Sequence, residues 1–143
     1  PGLKEGTDPE ISVNYEAGLR YSSPVLSLQS VFYYNDYQNL LGSDLASSGG
    51  TGSTDQFNGG ESIIYGIEYE MVYNPLGKSR TPYALPITFN YTYTNATFQN
   101  DFESEFDPWG SVQSGDEIPY IPKLQFSFNI SFEHRQFNIN YSS

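Results

Sequence analysis

The sequence predicts an all-β chain: about six antiparallel strands forming part of a large transmembrane β-barrel. Three observations predict it. The first is the stretch Tyr120–Ser143, in which large apolar and small polar side chains alternate strictly. Leu124, Phe126, Phe128, Ile130 and Phe132 fall on one face, and Gln125, Ser127, Asn129, Ser131 and Glu133 on the other. A period of two means a strand with two different environments, and lipid outside with water inside asks for that pattern over about 9–11 residues. The second is composition: aromatics make up 17 % of the chain, with 13 Tyr and 10 Phe against a single Trp, which suits the interfacial girdles of a barrel. The third is the absence of any long apolar run at a mean hydropathy of −0.50. That excludes a transmembrane helix but not a barrel, half of whose strand residues are polar.

The first strand is expected at Ser12–Tyr21, with Tyr15, Ala17, Leu19 and Tyr21 opposite Asn14, Glu16, Gly18 and Arg20. Pro24 ends it, because proline cannot donate to a ladder. The second runs from about Val25 to Asn39, with Leu26, Leu28, Ser30, Phe32 and Tyr34 opposite Ser27, Gln29, Val31, Tyr33 and Asn35. Leu40–Gly60 is rich in Gly, Ser, Thr and Asp and reads as a long loop. The third strand, Ser62–Asn74, sets Ile63, Tyr65, Ile67, Tyr69, Met71 and Tyr73 against Gly66, Glu68 and Glu70.

Pro75–Pro86 is a medium connection carrying Lys78 and Arg80. The fourth strand, Ile87–Phe98, sets Ile87, Phe89, Tyr91 and Tyr93 against Thr88, Asn90, Thr92 and Thr94. Gln99–Pro119 is a second long and strongly acidic loop. The fifth and sixth strands lie in Tyr120–Ser143, joined by a tight turn at about His134–Arg135. Barrels of the outer membrane keep short turns on the periplasmic side and long loops outside. Leu40–Gly60 and Gln99–Pro119 are therefore expected outside the cell, and the three shorter connections in the periplasm. About six strands cannot close a barrel, and an open edge in lipid leaves unpaired backbone groups. Together with a start at Pro1 and a stop in mid-pattern at Ser143, this reads as a segment of a longer barrel.

Charge narrows the function classes. A formal net charge of −11, with 6 basic residues, gives no surplus of cations for nucleic acid. With no cysteine there is no disulfide framework and no thiolate chemistry. No catalytic, cofactor-binding or metal site is legible, and no cofactor is expected. His134 is the only histidine, which leaves no dyad for catalysis, and it reads as a solvated turn residue.

Several phrases resemble the C-terminal part of TonB-dependent outer-membrane receptors, nearest to the ferric-citrate (Fe(III) dicitrate) type. They are PEISVNYEAGLRY (Pro9–Tyr21), FYYNDYQNLLG (Phe32–Gly42), DQFNGGESIIYGIEYE (Asp55–Glu70), YTYTNATF (Tyr91–Phe98) and GDEIPYIPKLQFSFNISFE (Gly115–Glu133). They cover nearly the whole chain in the family's order. The resemblance implies a monomeric barrel of about 22 strands around a plug, with residues 1–143 a partial barrel domain lacking the plug and the remaining strands. It implies import of a ferric chelate, ferric citrate or a siderophore-like ligand, with energy delivered by the TonB complex through the absent plug. Outer-membrane lipid would be the other partner.

The residues open to a ligand are those of the acidic loop and the lumen face. Asp101, Glu103, Glu105 and Asp107 around Trp109 offer carboxylates and an aromatic to a ligand or a divalent cation, although their spacing matches no calcium loop. The bland reading is a solvated loop. Ferric citrate is anionic, so an acidic vestibule would repel it and points to a different substrate. Glu16, Arg20, Glu68 and Glu70 are expected to face the lumen, lining the path or touching the plug, against the plain reading of polar residues in a wet interior. The rival from another class is a secreted all-β adhesin or carbohydrate-binding β-sandwich. Its strands would be shorter, with turn signals every 8–12 residues or so. Glu68 and Glu70 as a glycoside-cleaving acid pair lack any feature that sets their separation.

Overall fold

A computed structural model describes residues 9–43, 56–58, 60–103 and 110–143. The strands in chain order are β1 (Ile11–Ser22), β2 (Leu26–Gln38), β3 (Leu41–Ser43), β4 (Gln56–Asn58), β5 (Ser62–Tyr73), β6 (Tyr83–Ala84), β7 (Ile87–Phe98), β8 (Phe102–Glu103), β9 (Ser111–Val112), β10 (Leu124–His134) and β11 (Phe137–Ser142). No described residue is helical. The long strands form one sheet in the order β1-β2-β5-β7-β10-β11, with β6 beside β10. Every long strand therefore neighbours the next one in sequence, an up-and-down meander. The five longest strands have 11 to 13 residues, enough to cross a bilayer when tilted.

The register keeps unlike side chains apart. Residues directly opposite across a ladder share a face. Between β7 and β10 the partners are Tyr93 with Leu124, Tyr91 with Phe126, Phe89 with Phe128 and Ile87 with Ile130. The intervening pairs are Thr92 with Gln125, Asn90 with Ser127 and Thr88 with Asn129. On β11, Tyr141 meets Ile130 and Ile139 meets Phe132, while Asn140 meets Ser131 and Asn138 meets Glu133. Apolar lies with apolar and polar with polar in all of these pairs, and only the last pair of the β10–β11 ladder, His134 with Phe137, mixes the two.

The chain divides into two compact units, Pro1–Tyr15 with Tyr34–Tyr65 and Asn95–Pro122, and Glu16–Tyr33 with Gly66–Thr94 and Lys123–Ser143. The second unit holds the short connections. Among its described residues no hydrophobic side chain is buried, while Leu19, Phe32, Tyr73, Leu124, Phe126 and Ile139 are exposed, Phe126 by 76 %. In water this apolar face would exceed by far the patch a soluble monomer tolerates.

Two of its turns nest together. The Ser23 N–H donates to the Leu26 carbonyl (2.8 Å), and the Leu26 N–H donates back to Ser23 Oγ (3.1 Å). Asn74 donates its N–H to the Val25 carbonyl (2.8 Å), and its Oδ1 accepts from the N–H groups of Leu76 (3.1 Å) and Leu85 (3.2 Å). A Cβ on Gly77 would strike the Pro24 carbonyl, so only glycine lets the two turns approach. Asn74→Ala leaves both N–H groups without this acceptor and is expected to cost about 1–2 kcal/mol, read as a lower urea midpoint of the intact protein in detergent. β6 pairs Tyr83 with His134 and Ala84 with Glu133, and so extends the β7–β10 ladder beyond Leu85 and Pro86.

The first unit holds the two long connections and the small apolar core. Phe98 (1 % exposed), Ala96, Val112 and Ile118 are buried, with Leu40, Ile64, Phe102 and Ile121 packed against them. The expected solvated loop Gln99–Pro119 is in part a folded flap. Its return arm hydrogen-bonds to β7 through Phe98 N–H to the Asp116 carbonyl (2.9 Å) and Ile118 N–H to the Ala96 carbonyl (3.0 Å). β8 pairs with β9, and β3 with β4 at the base of the other long connection. On the apolar face, Tyr34 lies 6.3 Å from Tyr15 and 6.4 Å from Tyr65, centroid to centroid. That row of rings across β1, β2 and β5 has the chemistry of an interfacial girdle.

Candidate functional site

The polar face of the second unit is a connected strip. On β1, Glu16 and Arg20 line an open hollow of about 370 Å³ with Gln29 and Val31 of β2. Gln29 and Val31 also border a hollow of about 190 Å³ lined by Glu68 and Glu70 of β5 and Asn90 and Thr92 of β7. The four residues expected on one side of the sheet thus border two hollows that share Gln29 and Val31. Arg20 Nη2 donates to Gln29 Oε1 (2.9 Å). Asn90 Nδ2 donates to Ser127 Oγ (3.0 Å), and Ser131 Oγ donates to Asn138 Oδ1 (2.9 Å). Tyr33 and Thr94 join their hydroxyls at 2.6 Å. Side chains of this face hydrogen-bond one another, and three carboxylates and the Arg20 guanidinium border the hollows.

The Tyr33–Thr94 contact depends on Gly66. A Cβ at Gly66 would strike the Tyr33 hydroxyl and the Tyr93 carbonyl. The phenol of β2 therefore reaches Thr94 on β7 across the bare backbone of β5.

The described carboxylates Asp101 and Asp116 accept backbone N–H groups within the loop. Asp101 Oδ1 accepts the Ser114 N–H at 2.7 Å, and Ser114 Oγ donates to the Gln99 carbonyl at 3.0 Å. Asp116 Oδ2 accepts the Gln113 N–H at 2.8 Å. Asn100 Oδ1 takes the Glu61 N–H at 2.8 Å. Asp101 is thus a brace of the flap, and Glu103 lies on β8. Glu105, Asp107 and Trp109 lie outside the described residues. Among the described residues no three His, Asp or Glu side chains gather to hold a metal ion.

His134 departs from the reading of a solvated turn residue. The turn falls at Arg135–Gln136, so His134 closes β10 opposite Phe137. Its ring sits 5.0 Å from Tyr83 and 5.1 Å from Phe137, and Tyr83 is 5.6 Å from Phe132. The one-residue shift moves the imidazole onto the apolar face. Sequence parity with Phe132 was the available signal, masked by assigning His134 to the turn.

Residues 2–143 match the family model described as TonB dependent receptor-like, beta-barrel. No curated protein and no solved structure matches the chain.

Proposed function

The chain belongs to the TonB-dependent receptor β-barrel family, and on that premise we propose that it forms part of the wall of a receptor importing a ferric chelate. The family's members are receptors and transporters of the Gram-negative outer membrane rather than enzymes. The observation that carries the reading is the register of β7, β10 and β11, which sorts an apolar face from a polar one from Ile87 to Tyr93 against Leu124 to Ile130 and from Asn129 to Glu133 against Asn138 to Ser142. Lipid would cover the first face and the lumen would wet the second. β1 and β11 end the sheet order, and unpaired strand edges are not tolerated in hydrocarbon. Further strands of the same barrel would cover them, and a plug outside this segment would couple transport to the TonB complex.

The ferric ligand is what the resemblance of the five phrases implies, and the family match itself names no ligand. Charge refines it. Glu16, Glu68 and Glu70 against Arg20 give the proposed lumen strip a negative balance, so a neutral or cationic siderophore-like chelate fits better than anionic ferric citrate. Asp101 serves the flap in this account, and Glu16, Glu68 and Glu70 meet the solute. Deleting the gene in the source bacterium and following radioiron uptake under iron starvation tests this. Loss of uptake of a neutral siderophore is expected. Loss confined to ferric citrate would move the ligand to the anionic class, and unchanged uptake of both would remove the ferric assignment.

A further inference from the structure

Charge is divided between the two kinds of connection. The long stretches Leu40–Gly60 and Gln99–Pro119 hold no basic residue, whereas the short connections hold Lys78, Arg80 and Arg135 and no carboxylate. All three cations are exposed and lie outside every strand. The connections that carry them share one rim of the second unit. Gly77 lies against the Pro24 carbonyl, and β6, which follows Arg80, pairs Tyr83 with His134 beside Arg135. Arg135 borders one hollow with Thr81 and Tyr83. The carboxylate nearest to Arg135 in sequence, Glu133, belongs to the polar face, opposite Asn138 and Ala84.

Just inside this rim the apolar face ends in rings. Tyr21 on β1, Tyr73 at the end of β5, Tyr83 on β6 and Phe137 at the start of β11 are all exposed. Tyr83 and Phe137 both stand opposite His134, on the face of Phe132 and Ile139. Aromatic rings at the end of a lipid-facing strand sit at headgroup level. The turn cations lie beyond them, with long side chains that no ladder holds to one face.

We propose that this rim binds anionic phospholipid, drawing headgroups such as phosphatidylglycerol from the leaflet at the short-turn end of the strands. The proposal rests on the membrane assignment of the apolar face and goes beyond the transport reading. Charge selects the lipid. Cations at the depth of the phosphates attract a headgroup of net negative charge, and salt screens the attraction. A zwitterionic headgroup brings its own ammonium to the same place and gains little. An acidic protein segment offers the charge but no acyl chains for the ring belt beside it.

The test places a fluorophore at Phe137→Cys of the intact receptor, any other cysteine being first replaced by serine. Its quenching by brominated phosphatidylglycerol and by brominated phosphatidylcholine is compared in phosphatidylcholine vesicles. The expected result is a local preference for phosphatidylglycerol of about fivefold or more at low salt. The preference is expected to vanish at about 0.5 M salt, and at low salt in the combined variant Lys78→Gln, Arg80→Gln, Arg135→Gln. A fluorophore at Tyr15→Cys, in the ring row of Tyr34 and Tyr65, should show no such preference. Equal quenching by the two lipids at position 137, an equal preference at position 15, or a preference that survives the triple substitution overturns the proposal and leaves the membrane reading intact. Quenching by neither lipid overturns both. Quenching of the triple variant by phosphatidylcholine reports that it has inserted, so loss of folding is not mistaken for loss of binding.

Discussion

Phe128→Arg is expected to cost about 2–4 kcal/mol of folding stability in vesicles, whereas Asn129→Arg, one residue along, costs little. Phe128 lies opposite Phe89, with the Leu124–Tyr93, Phe126–Tyr91 and Ile130–Ile87 pairs on the same face. A guanidinium there must be dragged into hydrocarbon or bend the strand to reach water. Asn129 lies opposite Thr88 and Ser142, on the side where Asn90 and Ser127 already hydrogen-bond. An arginine at that position keeps its hydration. The measurement is the folded fraction of the intact protein in vesicles against urea for both variants. Equal losses would show that the two faces do not differ as lipid and water do.

Gly66→Ala is expected to destabilise by about 1–3 kcal/mol, an overpacking cost out of proportion to a single methyl on a strand. The added carbon meets the Tyr93 carbonyl and the Tyr33 hydroxyl, so either the β5–β7 spacing opens or Tyr33 swings away from Thr94. Tyr33→Phe removes only the 2.6 Å hydroxyl contact and is expected to cost about 1 kcal/mol. In Gly66→Ala with Tyr33→Ala the phenol is gone and part of the clash is relieved, so the double variant should lose less than the sum of its parts. Additive losses in the denaturant midpoints would show that the ring does not rest over the glycine.

The long strands were legible because alternation is a strong signal where it lasts. β7 begins and ends where the pattern of Ile87–Phe98 does, with Pro86 closing one side. β1 and β2 moved by about a residue at their ends, as fraying termini do. The short strands β3, β4, β6, β8 and β9 have two or three residues each, too few to show a period. β6 was hidden further by Leu85 and Pro86, which interrupt a ladder that resumes against the same partner. The flap core was illegible for another reason. Phe98 sits at a polar-face position of β7, Val112 stands between Ser111 and Gln113, and Ile118 follows the acidic Asp116–Glu117 pair with no alternation to mark it. Only the fold-back brings the three together.

That Glu16 and Arg20 share a face of β1, and Glu68 and Glu70 a face of β5, was readable from parity. That both pairs border Gln29 and Val31 required the sheet order. Asp101 was visible as a carboxylate in an acidic loop, but its acceptance of the Ser114 N–H was not. A side-chain to backbone bond across a loop has no sequence period to announce it.

A single cysteine can be placed at each position from 124 to 130 in turn, since this stretch has none of its own and any cysteine elsewhere in the intact receptor is first replaced by serine. Each is then exposed in native membranes to a membrane-impermeant thiol reagent and, as a fluorophore conjugate, to brominated lipid. A period of two is expected: aqueous labelling at Gln125, Ser127 and Asn129, and lipid quenching at Leu124, Phe126, Phe128 and Ile130. Uniform labelling along β10, or quenching at the polar positions, would contradict it.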